Sequence, residues 1–343
     1  LNVTATGKFT DTNGHEDKNA GQNKKVMISD LVLGGTDESN YVLAEEGNQT
    51  ETSASITPKE ITAAITPNGG IYGGTITSAS AALNGLIGTD KPTVTLIYKG
   101  TSNDGRTVNS TNVPEPAGTY TVTAAIEDSN YTLNSESSRA QFIVHRASPE
   151  LTVSAIPNKD YGDAAFDLNI SYEKDNVNSG ELSFSSSKTD VATVDNNGKV
   201  TITGAGTATL TVAVTQSANY EAASCSVTIT VDKADATEKL VVDTVLYEKT
   251  YGDSAFQIAA SSEGNIAEIH YESGDSTVVE ADTKGLVSIK NTGTAVITIN
   301  MDESRNYLAV SKNITVKVVP KEITVTGINA ESKIYDGNTN ATL

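Results

Sequence analysis

The stretch Gly206-Thr207-Ala208-Thr209-Leu210-Thr211-Val212-Ala213-Val214 decides the fold. Its large apolar side chains sit at every second position, with Thr or Ala between them, so Ala208, Leu210, Val212 and Val214 share one face. A period of two belongs to an extended strand with one face buried, because successive side chains point to opposite sides. The same pattern precedes it as Gly118-Thr119 followed by Tyr120, Val122, Ala124 and Ile126. It follows as Gly293-Thr294 with Ala295, Ile297, Ile299 and Met301. Each is succeeded by a second alternating run: Phe142 with Val144, then Val227, Ile229 and Val231, then Ile314, Val316 and Val318. These runs predict pairs of antiparallel strands.

Working outward, the strands fall into a long repeat. The pair Asn-Tyr recurs as Asn40-Tyr41, Asn130-Tyr131, Asn219-Tyr220 and Asn306-Tyr307, at separations of 90, 89 and 87 residues. A Tyr-Gly or Tyr-Asp-Gly mark appears early in each unit, at Tyr72-Gly73, Tyr161-Gly162, Tyr251-Gly252 and Tyr335-Asp336-Gly337. The period matches one small β domain, and self-similarity of this kind is the signature of a repeat architecture. Asn196-Asn197-Gly198 and Thr283-Lys284-Gly285 read as hairpin turns whose Gly takes a positive φ. One stretch, residues 78–87 with Ala81, Ala82, Leu83, Leu86 and Ile87, loses the alternation and is expected to form a short helical turn. The fold class expected is all-β, a linear array of small antiparallel β-sandwiches.

Boundaries follow where a closing strand meets Pro or a short polar step, near Thr57-Pro58, Ala147-Ser148-Pro149, Asp232-Lys233-Ala234 and Val319-Pro320. They divide the chain into 1–57, 58–147, 148–233, 234–319 and 320–343. None is a flexible Gly/Ser linker, so the expected shape is a stiff rod of beads, each about 30 Å long.

Composition narrows the function. The 24 basic and 43 acidic residues give a net charge of −19, which argues against nucleic acid, whose phosphates need a cationic face. No apolar run reaches the length of a membrane-spanning helix, so no membrane insertion is expected. With no Trp, three His, one Cys and 5% aromatic residues, disulfide scaffolds, zinc ribbons and aromatic ligand clefts are all disfavoured. Scarce cysteine with abundant Thr, Ser, Asn and Gly fits a secreted bacterial protein, and the expected location is extracellular, on the bacterial cell surface.

The residues also carry a family resemblance. Pro58-Lys59-Glu60-Ile61-Thr62 returns as Pro320-Lys321-Glu322-Ile323-Thr324, and the second copy runs on through Ser332 to Tyr335-Asp336-Gly337-Asn338 and Leu343. This looks like the first half of a bacterial YDG domain. Residues 1–57, with Phe9, Asp17-Lys18-Asn19-Ala20-Gly21, Leu33-Gly34-Gly35 and Asn40-Tyr41-Val42-Leu43, resemble the second half of that domain. Residues 58–147, with Ile71-Tyr72-Gly73-Gly74 and Ala117-Gly118-Thr119-Tyr120, resemble the MBG domain of the YGX type. Residues 148–233, with Asp190-Val191-Ala192-Thr193-Val194 and Gly204-Ala205-Gly206-Thr207-Ala208, and more loosely 234–319, are similar to bacterial Ig-like domains. The resemblance implies Ig-like stalk or display modules of large surface proteins, including adhesins, and brings no catalytic residues with it.

Leu1 follows no Met and no signal stretch, which reads as a piece of something longer. Two half-domains at opposite ends can complete one another by head-to-tail self-association between molecules, because unpaired sheet edges and an exposed apolar face are costly. Against this stands an arbitrary cut with frayed ends, or a longer fragment that folds alone.

No catalytic, cofactor-binding or metal-binding residue is assigned. Cys225 shares parity with Val227, Ile229 and Val231 and reads as a small buried hydrophobe without a neighbouring base. His15, His145 and His270 lie in three different units and read as surface or edge residues. Gly204-Ala205-Gly206 precedes a strand and is a turn, not a phosphate loop. The Asn-Tyr pairs read as an Asn in a turn with a Tyr ring over the sandwich end, in the manner of a tyrosine corner, although sugar contacts are an alternative. Acidic groups at Asp160 with Asp163, Asp253 with Glu248, and Glu127 with Asp128 are the places for a Ca2+ ion, set against a plain solvated acidic surface. A Lys-Asn isopeptide crosslink is a further option that the sequence does not locate.

The functions compatible with these features rank as a non-catalytic structural spacer in a secreted or cell-surface protein, then an adhesive module for host glycan or matrix protein. An enzyme ranks far behind. Neighbouring domains of the parent chain are the expected partners.

Overall fold

The computed structural model describes residues 1–174 and 180–343. The described chain is almost wholly β, with two 3-10 turns at Glu38–Asn40 and Glu263–Asn265 and no α-helix among the described residues. No helix among them is long and apolar enough to cross a membrane. Two compact units are formed. One holds Leu1–Leu151, Ser171–Leu182 and Ala213–Ser224; the other holds Thr152–Ile170, Ser183–Val212 and Cys225–Leu343.

The first unit opens with a three-stranded antiparallel sheet in which Gly21–Gly34 lies between Asn2–Thr10 and Glu51–Ile56. Both faces are largely open, and Val3 and Val32 are exposed. The sandwich beyond it packs a three-stranded sheet, in the order Tyr131–Leu133, Lys59–Thr66, Ser80–Asn84, against a five-stranded one. The five run Gly70–Ile71, Arg139–His145, Gly118–Ile126, Val94–Ser102, Thr107–Ser110. As the alternation requires, Tyr120, Val122, Phe142 and Val144 are buried, with Tyr120 opposite Phe142 in register. Tyr98 joins them; its ring meets Phe142 edge to face at 6.0 Å, and its hydroxyl accepts a hydrogen bond from the Ala79 N–H. A buried phenol must satisfy its oxygen, and here the core does so internally.

The helical turn expected over 78–87 is not formed. Ser80–Asn84 is a strand, antiparallel to Lys59–Thr66, with Ala81 and Leu83 half-buried and Ser80, Ala82 and Asn84 exposed. The alternation was present but disguised, because Ala82 is apolar yet faces solvent. Gly85, at φ 96°, then ends the strand, and Leu86 and Ile87 belong to the following loop.

The second unit contains two cores. In the first, Val191, Ala192, Val200, Ala208, Leu210, Ile229 and Val231 are buried together. They are carried mainly by the strands Gly206–Val214 and Ala223–Asp232 and by the small sheet Phe166–Asp167, Lys199–Ile202, Ala192–Val194. In the second, Ala295, Ile297, Ile299 and Met301 of Gly293–Met301 meet Ile314, Val316 and Val318 of Val310–Val319. The register sets Ile297 opposite Ile314 and Ala295 opposite Val316. Each fully buried Ile, Leu or Val contributes about 1.5–3 kcal/mol, so these paired inner faces are the main source of stability.

The sandwiches are not purely antiparallel. Each closing strand also pairs in parallel with a short early strand: Val144 with Gly70, Val231 with Lys159, and Thr315 through Val319 with Leu246 through Thr250. The early segment leaves one sheet and joins the other, which brings its Tyr-Gly turn to the end of the sandwich. Residues 320–343 form no strand, and Ile323, Ile334 and Tyr335 are exposed.

Candidate functional site

The residues that mark the repeat in sequence also make its junctions. An Asn-Tyr turn begins with a short polar residue that folds the backbone back on itself. Asp128 accepts the Asn130 N–H on its carboxylate at 2.8 Å, and the Tyr220 N–H donates to Ser217 Oγ at 3.1 Å. Asx and Ser turns of this kind hold the following side chain in one direction. What that side chain reaches is the preceding repeat.

At Asn219 in the first unit, Oδ1 accepts the backbone N–H of Ala117 at 2.9 Å, and the main-chain carbonyl accepts the N–H of Ala147 at 2.9 Å. The next ring, Tyr220, meets Tyr72 of the earlier Tyr-Gly turn edge to face, at 5.5 Å between centroids and 84° between planes. Asn103 Nδ2 donates to the Ala218 carbonyl at 3.1 Å, and Arg146 Nε to the Ser217 carbonyl at 2.9 Å. At Asn306 in the second unit the same parts return. Oδ1 accepts from the Ala205 N–H at 2.9 Å, the carbonyl accepts from the Ala234 N–H at 2.9 Å, and Tyr307 meets Tyr161 at 5.5 Å and 80°. Arg305 binds both the carboxylate and the carbonyl of Asp190. Its guanidinium holds the Asp190 carboxyl below the usual range.

The Asn130 junction keeps two of these three parts. Oδ1 accepts from the Ala20 N–H at 2.7 Å and the carbonyl from the Lys59 N–H at 2.8 Å. Residues 1–57 carry no Tyr-Gly turn, and among the described residues no ring meets Tyr131. Its hydroxyl instead donates to Asp90 and accepts the Ile87 N–H at 3.0 Å, and the carboxylate raises its pKa above the ordinary phenol value. A cleft of about 450 Å3 lies beside it, lined by Lys18, Ile56, Lys59, Asp90, Asn130 and Tyr131 among others.

Sequence reasoning placed the Asn in a turn and the Tyr at the sandwich end, which is where Asn130-Tyr131, Asn219-Tyr220 and Asn306-Tyr307 are, whereas Tyr41 is exposed. It missed that Asn-Tyr and Tyr-Gly are two halves of one contact. The available signal was their common period, together with an Ala-Gly step at Ala20-Gly21, Ala117-Gly118 and Ala205-Gly206 before the strands.

The other candidates separate from this site and from one another. Cys225 is free and half-buried, less enclosed than its parity implied, because the inward face of Ala223–Asp232 becomes fully buried only from Ile229 onward. Burial pushes its thiol pKa up, away from a reactive thiolate. His15, His145 and His270 are all exposed. The acidic groups are used in turns. Asp163 accepts the Asp160 N–H and Asp253 the Thr250 N–H, while Glu248 faces Lys317 at 3.4 Å. Sequence reading took His270 as a surface or edge residue and did not join it to Glu268 and Asp302; the ligand atoms of the three lie within 4.8 Å of one another, and all three are exposed.

Comparison with known proteins adds a partial match. Residues 175–216 match the family described as "Intimin, immunoglobulin-like domain", which supports bacterial Ig-like repeats. This match does not show the YDG and MBG domains. An uncharacterized protein of Clostridium acetobutylicum is 32% identical over 135 residues, covering 39% of this chain and 14% of that protein. The chain thus spans a small part of the length of that relative. Among solved structures, Drosophila N-cadherin EC1-4 aligns at 12% identity and TM-score 0.26, covering 93% of this chain and 92% of that one. Surface layer protein SbsC, domains 1-6, aligns at 14% identity and TM-score 0.24, covering 97% and 50%.

Proposed function

We propose that this chain is a non-catalytic structural spacer, a run of Ig-like repeats within a large secreted or cell-surface bacterial protein. One observation carries the reading. The residues repeated most faithfully, Asn-Tyr, Tyr-Gly and Ala-Gly, are spent on holding one repeat to the next. A binding module would be expected to concentrate distinctive side chains in one repeat. Here the distinctive side chains recur at the junctions. The match of residues 175–216 to the intimin immunoglobulin-like domain family supports the same reading.

Pulling the chain from both ends by single-molecule force spectroscopy tests this. A spacer of separately folded repeats gives successive unfolding events, each releasing about 300 Å of chain at roughly 3.3–3.6 Å per residue. A single event releasing the whole chain overturns the reading. Saturable binding to a glycan or matrix protein through one repeat would put the adhesive reading first.

A further inference from the structure

In the second unit the strands Ile269–Ser273 and Gly293–Met301 run antiparallel, with Ile269 opposite Met301. The ladder continues one step past both, where the Asp302 N–H donates to the Glu268 carbonyl at 3.1 Å. Glu268 therefore stands directly across from Asp302, and His270, two residues along, shares the face of Glu268. Met301, the neighbour of Asp302, is buried, so the face that carries these three side chains is the one turned away from the core. His270 Nε2 lies 2.9 Å from Asp302 Oδ2. An imidazole nitrogen and two carboxylate oxygens thus gather within 4.8 Å of one another at the end of a strand pair whose register is fixed by the core behind it.

Two features set this group apart from a solvated acidic surface. Like charges directly opposite one another destabilise a sheet, and a cation shared between Glu268 and Asp302 turns that repulsion into attraction. The preceding repeat builds the same step of ladder without the ligands. There the Thr215 N–H donates to the Glu181 carbonyl at 3.0 Å, so Thr215 holds the place of Asp302 and Ser183 that of His270. Thr215 Oγ1 accepts the Glu181 N–H, and no second carboxylate faces Glu181 from that position. The junction residues recur from repeat to repeat, whereas this set of donors belongs to the later of these two repeats.

We propose that Glu268, His270 and Asp302 bind a Zn2+ ion, through an imidazole nitrogen and one oxygen of each carboxylate. The histidine decides the class of metal, because imidazole suits Zn2+ and its transition-metal neighbours while Ca2+ and Mg2+ take oxygen ligands. Zinc bonds of about 2.0–2.2 Å in a tetrahedron set the ligand atoms about 3.4 Å apart, a spacing that exposed side chains reach by small rotations. Water takes the fourth position. The ion ties the end of Gly293–Met301 to the start of Ile269–Ser273, four residues before Asn306 of the junction turn. The spacer reading neither requires this site nor depends on it.

Isothermal titration of the whole, untagged protein with zinc chloride, in a buffer that does not chelate, tests the proposal. Saturable uptake of a single equivalent is expected, and a large excess of Ca2+ is expected not to displace it. His270→Ala and Asp302→Ala, both at exposed positions and checked for folding by circular dichroism, are each expected to weaken binding at least about tenfold. His145→Ala, at an exposed histidine outside the group, is expected to bind as the wild type does. In nuclear magnetic resonance spectra the imidazole signals of His270 should shift at the first equivalent while those of His15 and His145 stay in place. Weak, unsaturable uptake that Ca2+ abolishes is binding to dispersed carboxylates and overturns the proposal, as does a His270→Ala protein that binds like the wild type. Either result leaves the stepwise unfolding expected of a spacer untouched, so the two readings fail separately.

Discussion

Asn219 Oδ1 accepts the backbone N–H of Ala117 at 2.9 Å across 102 residues of chain, and both residues are buried. A backbone N–H enclosed in this way has no access to water and depends on that one amide oxygen. Replacing Asn219 by Ala leaves it without a partner, at a cost of about 1–3 kcal/mol. Urea denaturation of Asn219→Ala is expected to show that loss. Asn306→Ala, at a less enclosed junction, is expected to lose less.

The ring pair makes a different prediction. Tyr220 meets Tyr72 edge to face, so Tyr220→Ala removes an aromatic contact worth about 0.5–1.5 kcal/mol beyond its buried area. The loosening is expected on both sides of the contact, and nuclear magnetic resonance line shapes of the Tyr72 ring should report it. Tyr131 is held instead by its hydroxyl, and Tyr131→Phe is expected to lose about 1 kcal/mol for each hydrogen bond of that hydroxyl.

Acid should weaken the Asn306 junction. The Arg305 guanidinium holds the Asp190 carboxyl below its ordinary value, so the folded pKa lies under the unfolded one. The contribution is therefore complete above about pH 4 and is lost as pH falls through the lower, folded value. The side-chain hydrogen bonds from Thr237 and Thr277 act on Asp235 and Asp275 in the same direction. Thermal melts from neutral pH into acid should show the difference between wild type and Arg305→Met shrinking at the acid end.

Turn glycines should resist substitution. Gly285 has φ +80°, and a Cβ there would stand 2.6 Å from the Tyr271 ring. Gly285→Ala combines left-handed strain of about 1–2 kcal/mol with that collision. Calorimetry is expected to show a lowered melting transition for the repeat carrying Tyr271.

Much of the fold was legible because alternation is a local signal. Ala208, Leu210, Val212 and Val214 are all buried, as their spacing implied, and so are Ala295, Ile297, Ile299 and Met301. The strand Ser80–Asn84 escaped because Ala82 counts as apolar on either face. The junction was half legible: Asn-Tyr and Tyr-Gly stood out as repeated marks, but their ring contacts, Tyr72 with Tyr220 and Tyr161 with Tyr307, join residues far apart in the chain and leave no local pattern. The parallel pairing of Leu246–Thr250 with Val310–Val319 was hidden for the same reason.

The most direct measurement of the junction is amide hydrogen exchange at Ala117 and Ala205, compared with a core amide such as Leu210. In the wild type both junction amides are expected to be protected. In Asn219→Ala, protection should collapse at Ala117 while Ala205 and Leu210 exchange as before, and Asn306→Ala should do the reverse. Unchanged protection at Ala117 in Asn219→Ala would contradict the claim that the Asn-Tyr turn of one repeat holds the repeat before it.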